Sequence, residues 1–460
     1  MTAPRIVWLR RDLRLADQPA FCSAAAQGPV IPVYILDDER AGDRKLGGAS
    51  RWWLHGSLEA LERSLAGHGL RLILRRGDCV RHLLALVQET GASGIDAIRH
   101  YEPWWREAEQ ELADQADLQL HEGNYLAPPG LVTTGAGTPF KIYTPFARAL
   151  TRLLPLRDPL TVPELTPVEA WPASDDLADW ELRPTAPDWA TGFHETGTPG
   201  ETAAQAQLED FLDRAEDYGE ERNKPSADGS SRLSPHLHWG EISPTQVWHA
   251  LEQHHGTGSE TYRGEIVWRD YAQNVIHQFP RYPEESYREA FARFPWRNPD
   301  RDDAAAADLK AWQRGRTGYP IVDAGMRQLW AMGWMHNRVR MIAASFLIKH
   351  LLIDWRQGEH WFWDTLVDAD YANNGVNWQW VSGSGVDSNM FPRIMAPLSQ
   401  SEKFGAADYI RRWVPELAGL SDADVHDPAD AKRPASYPAK RIGHKEARER
   451  ALAAYRTVKG

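Results

Sequence analysis

Residues 5–36, RIVWLRRDLRLADQPAFCSAAAQGPVIPVYIL, contain two short apolar runs, Arg5–Leu9 and Val30–Leu36, parted by a polar and then a small-residue stretch. Runs this short suit buried strands better than helices. Runs of the same kind recur at 70–74, 95–101 and Leu118–His121, with helix-periodic segments such as 51–66 and 79–88 between them. Apolar strands alternating with helices imply a parallel sheet covered on both faces. Residues 1–150 are therefore expected to form an α/β, doubly wound parallel sheet domain. No Gly-x-Gly-x-x-Gly follows the first strand, so a standard dinucleotide site there has no support.

Residues 151–199 are rich in proline and show little periodicity, which reads as an extended inter-domain connector. Its apolar residues, among them Trp171, Trp180 and Trp189, imply that it lies packed rather than free. From 200 to 460 the pattern is helical. Val339, Ile342, Ala343, Phe346, Leu347 and Leu351 follow the spacing of a core-facing helix. Ser234-Pro235 and Ser243-Pro244 each place a capping hydroxyl before an N1 proline, and Pro320 opens another helix. An all-α C-terminal domain is the expectation.

Composition bounds the function. The chain has 460 residues, 42% hydrophobic and 25% charged, with a net charge of −12. That acidity argues against diffuse nucleic-acid binding, yet residues 311–350 hold Arg314, Arg316, Arg327, Arg338, Arg340 and Lys349 against Asp323 alone. Such an excess suits a local phosphate-binding strip. Two cysteines build neither a disulfide framework nor an iron–sulfur site. No signal-peptide core and no long apolar run appear, so a cytoplasmic protein without membrane association is expected. Tryptophan is the outlier, at 21 residues, concentrated in the second half.

Four strings carry chemistry. In residues 229–244, GSSRLSPHLHWGEISP, hydroxyls ahead of a helix start would meet a phosphate. In 265–271, EIVWRDY, Glu265 and Trp268 share a helix face, a carboxylate beside an indole. In 334–341, WMHNRVRM, Asn337, Arg338 and Arg340 sit on the helix bearing the apolar stripe and invite an anion. The densest is 365–380, TLVDADYANNGVNWQW, where aspartates and amides crowd two indoles with no clean apolar face. Asp, Asn and Gly weaken both helices and strands, so a flat polar ligand is the expectation. Asp368 and Asp370 lack a third carboxylate or histidine at ligand spacing, so no metal site is expected.

Together these strings resemble the cryptochrome/photolyase family, most closely its bacterial cyclobutane pyrimidine dimer photolyases of class I/III type. The likeness also runs through IVWLRRDLRLADQPA, KIYTPFARAL, TGYPIVDAGMRQL, IDWRQGE, YIRRWVPEL and HKEARERALAAY. The resemblance implies an α/β antenna domain, a connector and a helical domain that holds reduced FAD and binds DNA. It implies FAD contacts at Tyr218, Ser230, Ser231, Arg232, Leu233, Ser234, Arg340, Asp368, Ala369, Asp370 and Asn374, with Arg340 paired to Asp368 and Asn374 beside flavin N5. Trp268 and Trp380 would clasp a flipped dimer, Glu265 and Asn337 would bond its edges, and Arg222, Arg338 and Gln400 would contact UV-damaged DNA. Trp378, Trp355 and Trp296 match the family's photoreduction chain, with Trp361, Trp363 and Trp334 more suited to packing. Glu102 matches a folate-antenna position, and LGGASRWWLHGSL resembles the folate-binding class III branch, so methenyltetrahydrofolate is the expected antenna, with deazaflavin as the alternative. Residues 391–397, FPRIMAP, depart from the family's usual string at Pro392 and Ala396, and 299–312, PDRDDAAAADLKAW, is an acidic insert. A monomeric, light-driven DNA repair enzyme is implied; a photosensory cryptochrome without repair is the alternative. A photolyase for (6-4) lesions fits less well, because it shows a histidine pair where this chain has His336-Asn337.

Overall fold

The computed structural model describes residues 2–458 and divides into two compact units. The first comprises the residues up to Ala190, Gly197–Glu216 and Ser231–Pro280; the second comprises Thr191–Thr196, Asp217–Ser230 and the residues from Arg281 onward. The helical stretch beyond residue 200 is thus shared between them.

In the first unit, β1 (Arg5–Leu9), β2 (Val30–Leu36), β3 (Ile73–Arg76), β4 (Gly94–Ile98) and β5 (Leu118–His121) form one parallel sheet in the order β3-β2-β1-β4-β5. The order reverses between β1 and β4, the doubly wound pattern. Ile6, Trp8, Ile31, Val33, Ile73, Ile95 and Ala97 fill its core with Leu83, Leu86, Ala108 and Leu112 from the covering helices. β3 starts at Ile73 rather than Leu70 and takes in Arg75 and Arg76, whose backbone pairs with Ile35 and Leu36. It is an edge strand, so apolarity alone misjudges its register. β4 stops at Ile98, ahead of the helix that Pro103 opens.

The connector is packed on this unit. Thr166 O accepts from Val30 N at 2.9 Å, Asp175 N donates to Leu74 O at 2.9 Å, and the Trp180 ring lies 6.2 Å from Tyr34. Residues 231–280 join the same unit through buried polar ties. Glu241 accepts from Trp53 Nε1 at 3.1 Å and from Ser57 Oγ, and Ser243 Oγ donates to Asp17. Ser243 is an N-cap with a full capping box to Gln246. Ser234 is not a cap: the helix Ser234–Trp239 begins at it, after Leu233 in a helical conformation.

The second unit is helical. The stripe from Val339 to Leu351 is buried, but the Asn337–Ser345 helix passes into a π-turn over Phe346–His350, closed by Leu351 N to Phe346 O at 3.1 Å. The extra residue in that turn rotates the side chains beyond it, and Lys349 and His350 end fully buried.

Candidate functional site

The polar segment 365–380 is resolved into a loop and the helix Tyr371–Ser382 of the second unit. Asp370 caps that helix, accepting from Asn373 N at 2.7 Å and Asn373 Nδ2 at 2.8 Å. Asp368 is buried in the loop. Arg340 grips it bidentately, Nη1 to Oδ1 at 3.1 Å and Nη2 to Oδ2 at 2.9 Å, while Arg340 Nε holds Met335 O at 2.7 Å. This planar fork fixes the carboxylate's orientation as well as its charge. Ala369 is buried between the two aspartates.

Asn374 Nδ2 donates to Glu359 O at 3.0 Å and to Glu359 Oε1 at 2.9 Å. Both amide hydrogens are thereby engaged, and the side chain offers its remaining partner only an acceptor oxygen. Gln379, to which no role was assigned from sequence, is fully buried and bonds Glu285 O at 2.7 Å and Tyr287 N at 2.9 Å. The segment therefore mixes an amide that keeps only its acceptor oxygen, Asn374, with a structural amide, Gln379.

Trp378 is buried against Phe362, centroids 5.0 Å apart, and Trp312 at 6.3 Å. A Cβ at Gly358 would sit 2.1 Å from the Trp378 ring, so this helix crossing needs glycine. Trp355 is fully buried with Nε1 on Ser286 Oγ at 3.3 Å, and Trp296 lies 4.1 Å from Phe294. The three do not touch ring to ring. Trp312, given no role from the sequence, packs against both Phe362 and Trp378, and Trp330 stacks on Trp361 at 6.0 Å.

The basic run 311–350 does not stay together as a strip. Arg327 is forked to Glu416, Arg340 to Asp368, and Lys349 is buried. Arg338 donates to Asn223 Oδ1 and lies 4.6 Å over Phe404. Asn337 is exposed at the first turn of its helix, after the N-cap His336. Arg222 lies 5.1 Å over Tyr218, itself buried. Trp380 is half-buried, and its carbonyl accepts from Ser388 Oγ at 2.5 Å. Gln400 lies half-buried on the Pro397–Lys403 helix, and Ser230 is half-buried at the end of its own segment.

In the first unit, Ser231 is buried, its carbonyl bound by Gln207 Nε2 at 3.1 Å and its hydroxyl by Leu233 N at 3.3 Å. Arg232 follows with φ 57°, a left-handed conformation that costs a non-glycine residue. Leu233 is fully buried, and Ser234 is exposed.

Glu265 and Trp268 lie on the helix Thr257–Gln278, half-buried as expected. Tyr143, unassigned from sequence, stacks on Trp268 with centroids 3.3 Å apart and planes within 3°. Its hydroxyl donates to Gly264 O at 3.1 Å, and burial, aided by the Glu265 charge, pushes its pKa up to about 12. One indole face is thus covered. Farther along, Asp270 is buried with Ala127 N on Oδ1 at 3.1 Å and no partner on Oδ2, and burial raises its pKa to about 7.

At the carboxyl ends of the strands, Glu102 is buried and accepts from Arg11 Nη1 at 2.7 Å and Tyr101 N at 3.2 Å. Arg10 pairs with Glu109 at 2.7 Å and lies 3.9 Å over Trp8 and 5.4 Å from Trp105. Among the described residues no group of histidine, cysteine or carboxylates could hold a metal ion, and no helix is long and apolar enough to cross a membrane.

Comparison with known proteins places this geometry in context. A family profile described as "FAD binding domain of DNA photolyase" matches residues 262–457, and one described as "DNA photolyase" matches 5–167. The chain is 48% identical to the deoxyribodipyrimidine photo-lyase of Agrobacterium fabrum, covering 100% of this chain and 98% of that protein. It is 35% identical to cryptochrome-1 of Sinapis alba, covering 93% of this chain and 88% of that protein. It is also similar to the crystal structure of a bacterial class III photolyase from Agrobacterium tumefaciens, with a TM-score of 0.94, 47% identity and coverage of 100% and 98%.

Proposed function

This chain belongs to the DNA photolyase family, and from that premise we propose that it is a light-driven deoxyribodipyrimidine photo-lyase acting on UV-damaged DNA. The observation that carries the reading is the fixed amide of Asn374. With both hydrogens held by Glu359, it meets its ligand as an acceptor, the complement of the N–H at N5 of a reduced flavin. When bound, reduced FAD would lend the cyclobutane dimer a photoexcited electron and take it back once the ring has opened to two pyrimidines.

The protein's own task is binding, orientation and exclusion of water. Arg340 holds Asp368 where it and Asp370, with Ala369 between, would meet the flavin's ribityl and ring groups. Tyr218, Ser230, Ser231, Arg232, Leu233 and Ser234 would take the phosphate side. A dimer must leave the base stack to be repaired, and family members do this by base flipping; the handling of a flipped base here falls to aromatic faces. Trp268, backed by Tyr143, offers one open face, and Trp380 another, each worth about 1–3 kcal/mol per stacked base. Glu265 and Asn337 would bond the base edges; Arg222, Arg338 and Gln400 would meet the backbone. Trp378, Trp355 and Trp296 would relay electrons to an oxidised flavin.

For the antenna, folate is favoured over deazaflavin. Arg10–Glu109, Arg11–Glu102 and Trp105 lie at the carboxyl ends of β1 and β4, the switch point where such folds take flat ligands, and the likeness of LGGASRWWLHGSL to the folate-binding branch supports the preference. The enzyme is expected to work as a cytoplasmic monomer.

Purified, photoreduced protein mixed with dimer-containing duplex should restore pyrimidines only under blue or near-UV light. Light-independent binding with no restoration would overturn the repair reading in favour of the photosensor.

A further inference from the structure

Lys349 is fully buried in the π-turn Phe346–His350 of the second unit. Its ammonium donates to Met390 O at 2.9 Å and Arg393 O at 3.0 Å, and no carboxylate among the described residues pairs with it. Burying a cation without an anion is costly, and burial drives this lysine's pKa down to about 7. An apolar side chain of similar length would fill the space at lower cost. The two carbonyls define what that cost supports. They are the first and last of a turn closed by Arg393 N to Met390 O at 3.0 Å. Between them Phe391 is fully buried, 5.0 Å from both Phe294 and Tyr455, while Pro392 and Arg393 face outward. The turn is tied onward: Met390 N donates to Ser388 Oγ at 3.4 Å, and Ser388 Oγ donates to Trp380 O at 2.5 Å.

We propose that Lys349 is a positioning residue for lesion binding, a buried ammonium post that holds the 390–393 turn and, through Ser388, the backbone of Trp380. The proposal rests on the photo-lyase reading, which makes Trp380 a wall of the lesion pocket. It also accounts for how the chain accommodates its unusual FPRIMAP string: the Pro392 turn, closed by Arg393 N on Met390 O, is anchored to the core through the two carbonyls that Lys349 holds.

The test uses FAD-loaded, pre-reduced enzyme and a duplex carrying one thymine dimer. Lys349→Met should raise Kd and KM for that duplex about tenfold, with kcat under saturating light and the flavin absorption spectrum unchanged. Lys349→Arg, which keeps two or more donors, should recover most of the affinity. A Met variant with wild-type KM, or one whose kcat falls while KM holds, overturns the proposal. Should Lys349→Met not fold, Ser388→Ala leaves the buried charge in place and should show the same rise in KM alone; an unchanged KM there overturns it as well. Failure of the wild-type enzyme to repair the duplex at all would instead refute the photo-lyase reading.

Discussion

Arg340–Asp368 in the helical unit and Arg11–Glu102 in the sheet unit are both buried arginine–carboxylate pairs, and both carboxylates were assigned to cofactors from the sequence. They are built differently. Arg340 makes two parallel bonds to a carboxylate in an open loop and braces itself on Met335 O. Arg11 makes one bond to a carboxylate that also accepts from the neighbouring Tyr101 N–H at the start of a helix. The first arrangement fixes the direction of the carboxylate as well as its charge. The second ties the segment after β1 to a helix start. A carboxylate's neighbours in space, not its identity, decide which kind it is.

Arg340→Met should break the comparison most severely. Removing one partner of a buried pair leaves Asp368 uncompensated, at about 3–5 kcal/mol. The purified variant should also lose its yellow flavin absorbance, because the carboxylate's orientation goes with its charge partner. A variant that melts lower yet retains full FAD would show that Arg340 only stabilises the fold.

A third buried carboxylate sharpens the contrast, because no arginine grips it. Asp270 has a folded-state pKa raised to about 7 by burial, above the unfolded value of 3.8. Its neutral form is the one the fold prefers, so its contribution is fully present below about pH 4 and is lost as pH rises through 7. Asp270→Asn should therefore change stability least near pH 4 and raise it progressively toward pH 8, on the order of 4 kcal/mol, in paired thermal or urea melts. A substitution effect equal at both pH values would mean that Asp270 titrates alike in the folded and the unfolded chain.

The same contrast explains what could be read from the sequence. The central strands β1, β2 and β4 were legible as short apolar runs and the edge strand β3 only in part, and the 365–380 segment stood out because its residue types conflict with any packed face. Gly358, which admits the Trp378 ring, lies within the IDWRQGE string but signals nothing by itself. The Tyr143–Trp268 stack was not legible, since it joins residues far apart in the chain that each look like ordinary core aromatics. The π-turn was equally hidden: the apolar spacing runs through Phe346–His350 unbroken, so Lys349 read as one more charge in a basic strip rather than a buried one. Ser234 failed for a local reason, because Leu233 already adopts a helical conformation and no cap was needed there.

Glu102→Gln carries the smallest expected effect and discriminates most finely between the two pairs. Glutamine keeps one acceptor oxygen, enough for Arg11 Nη1 or for the Tyr101 N–H but not for both, and removes the charge, so the loss should be about 1–3 kcal/mol in a thermal melt. Repair by pre-reduced enzyme under light absorbed directly by the flavin should be unchanged, because the residues proposed to hold the flavin and the lesion do not include this carboxylate. The deciding measurement is the near-UV action spectrum. If Glu102 serves only to hold Arg11, the antenna band persists in the variant at its wild-type height. If the band disappears while flavin-driven repair remains, the carboxylate meets the pigment itself, and the sheet-unit pair is a ligand site like its helical counterpart.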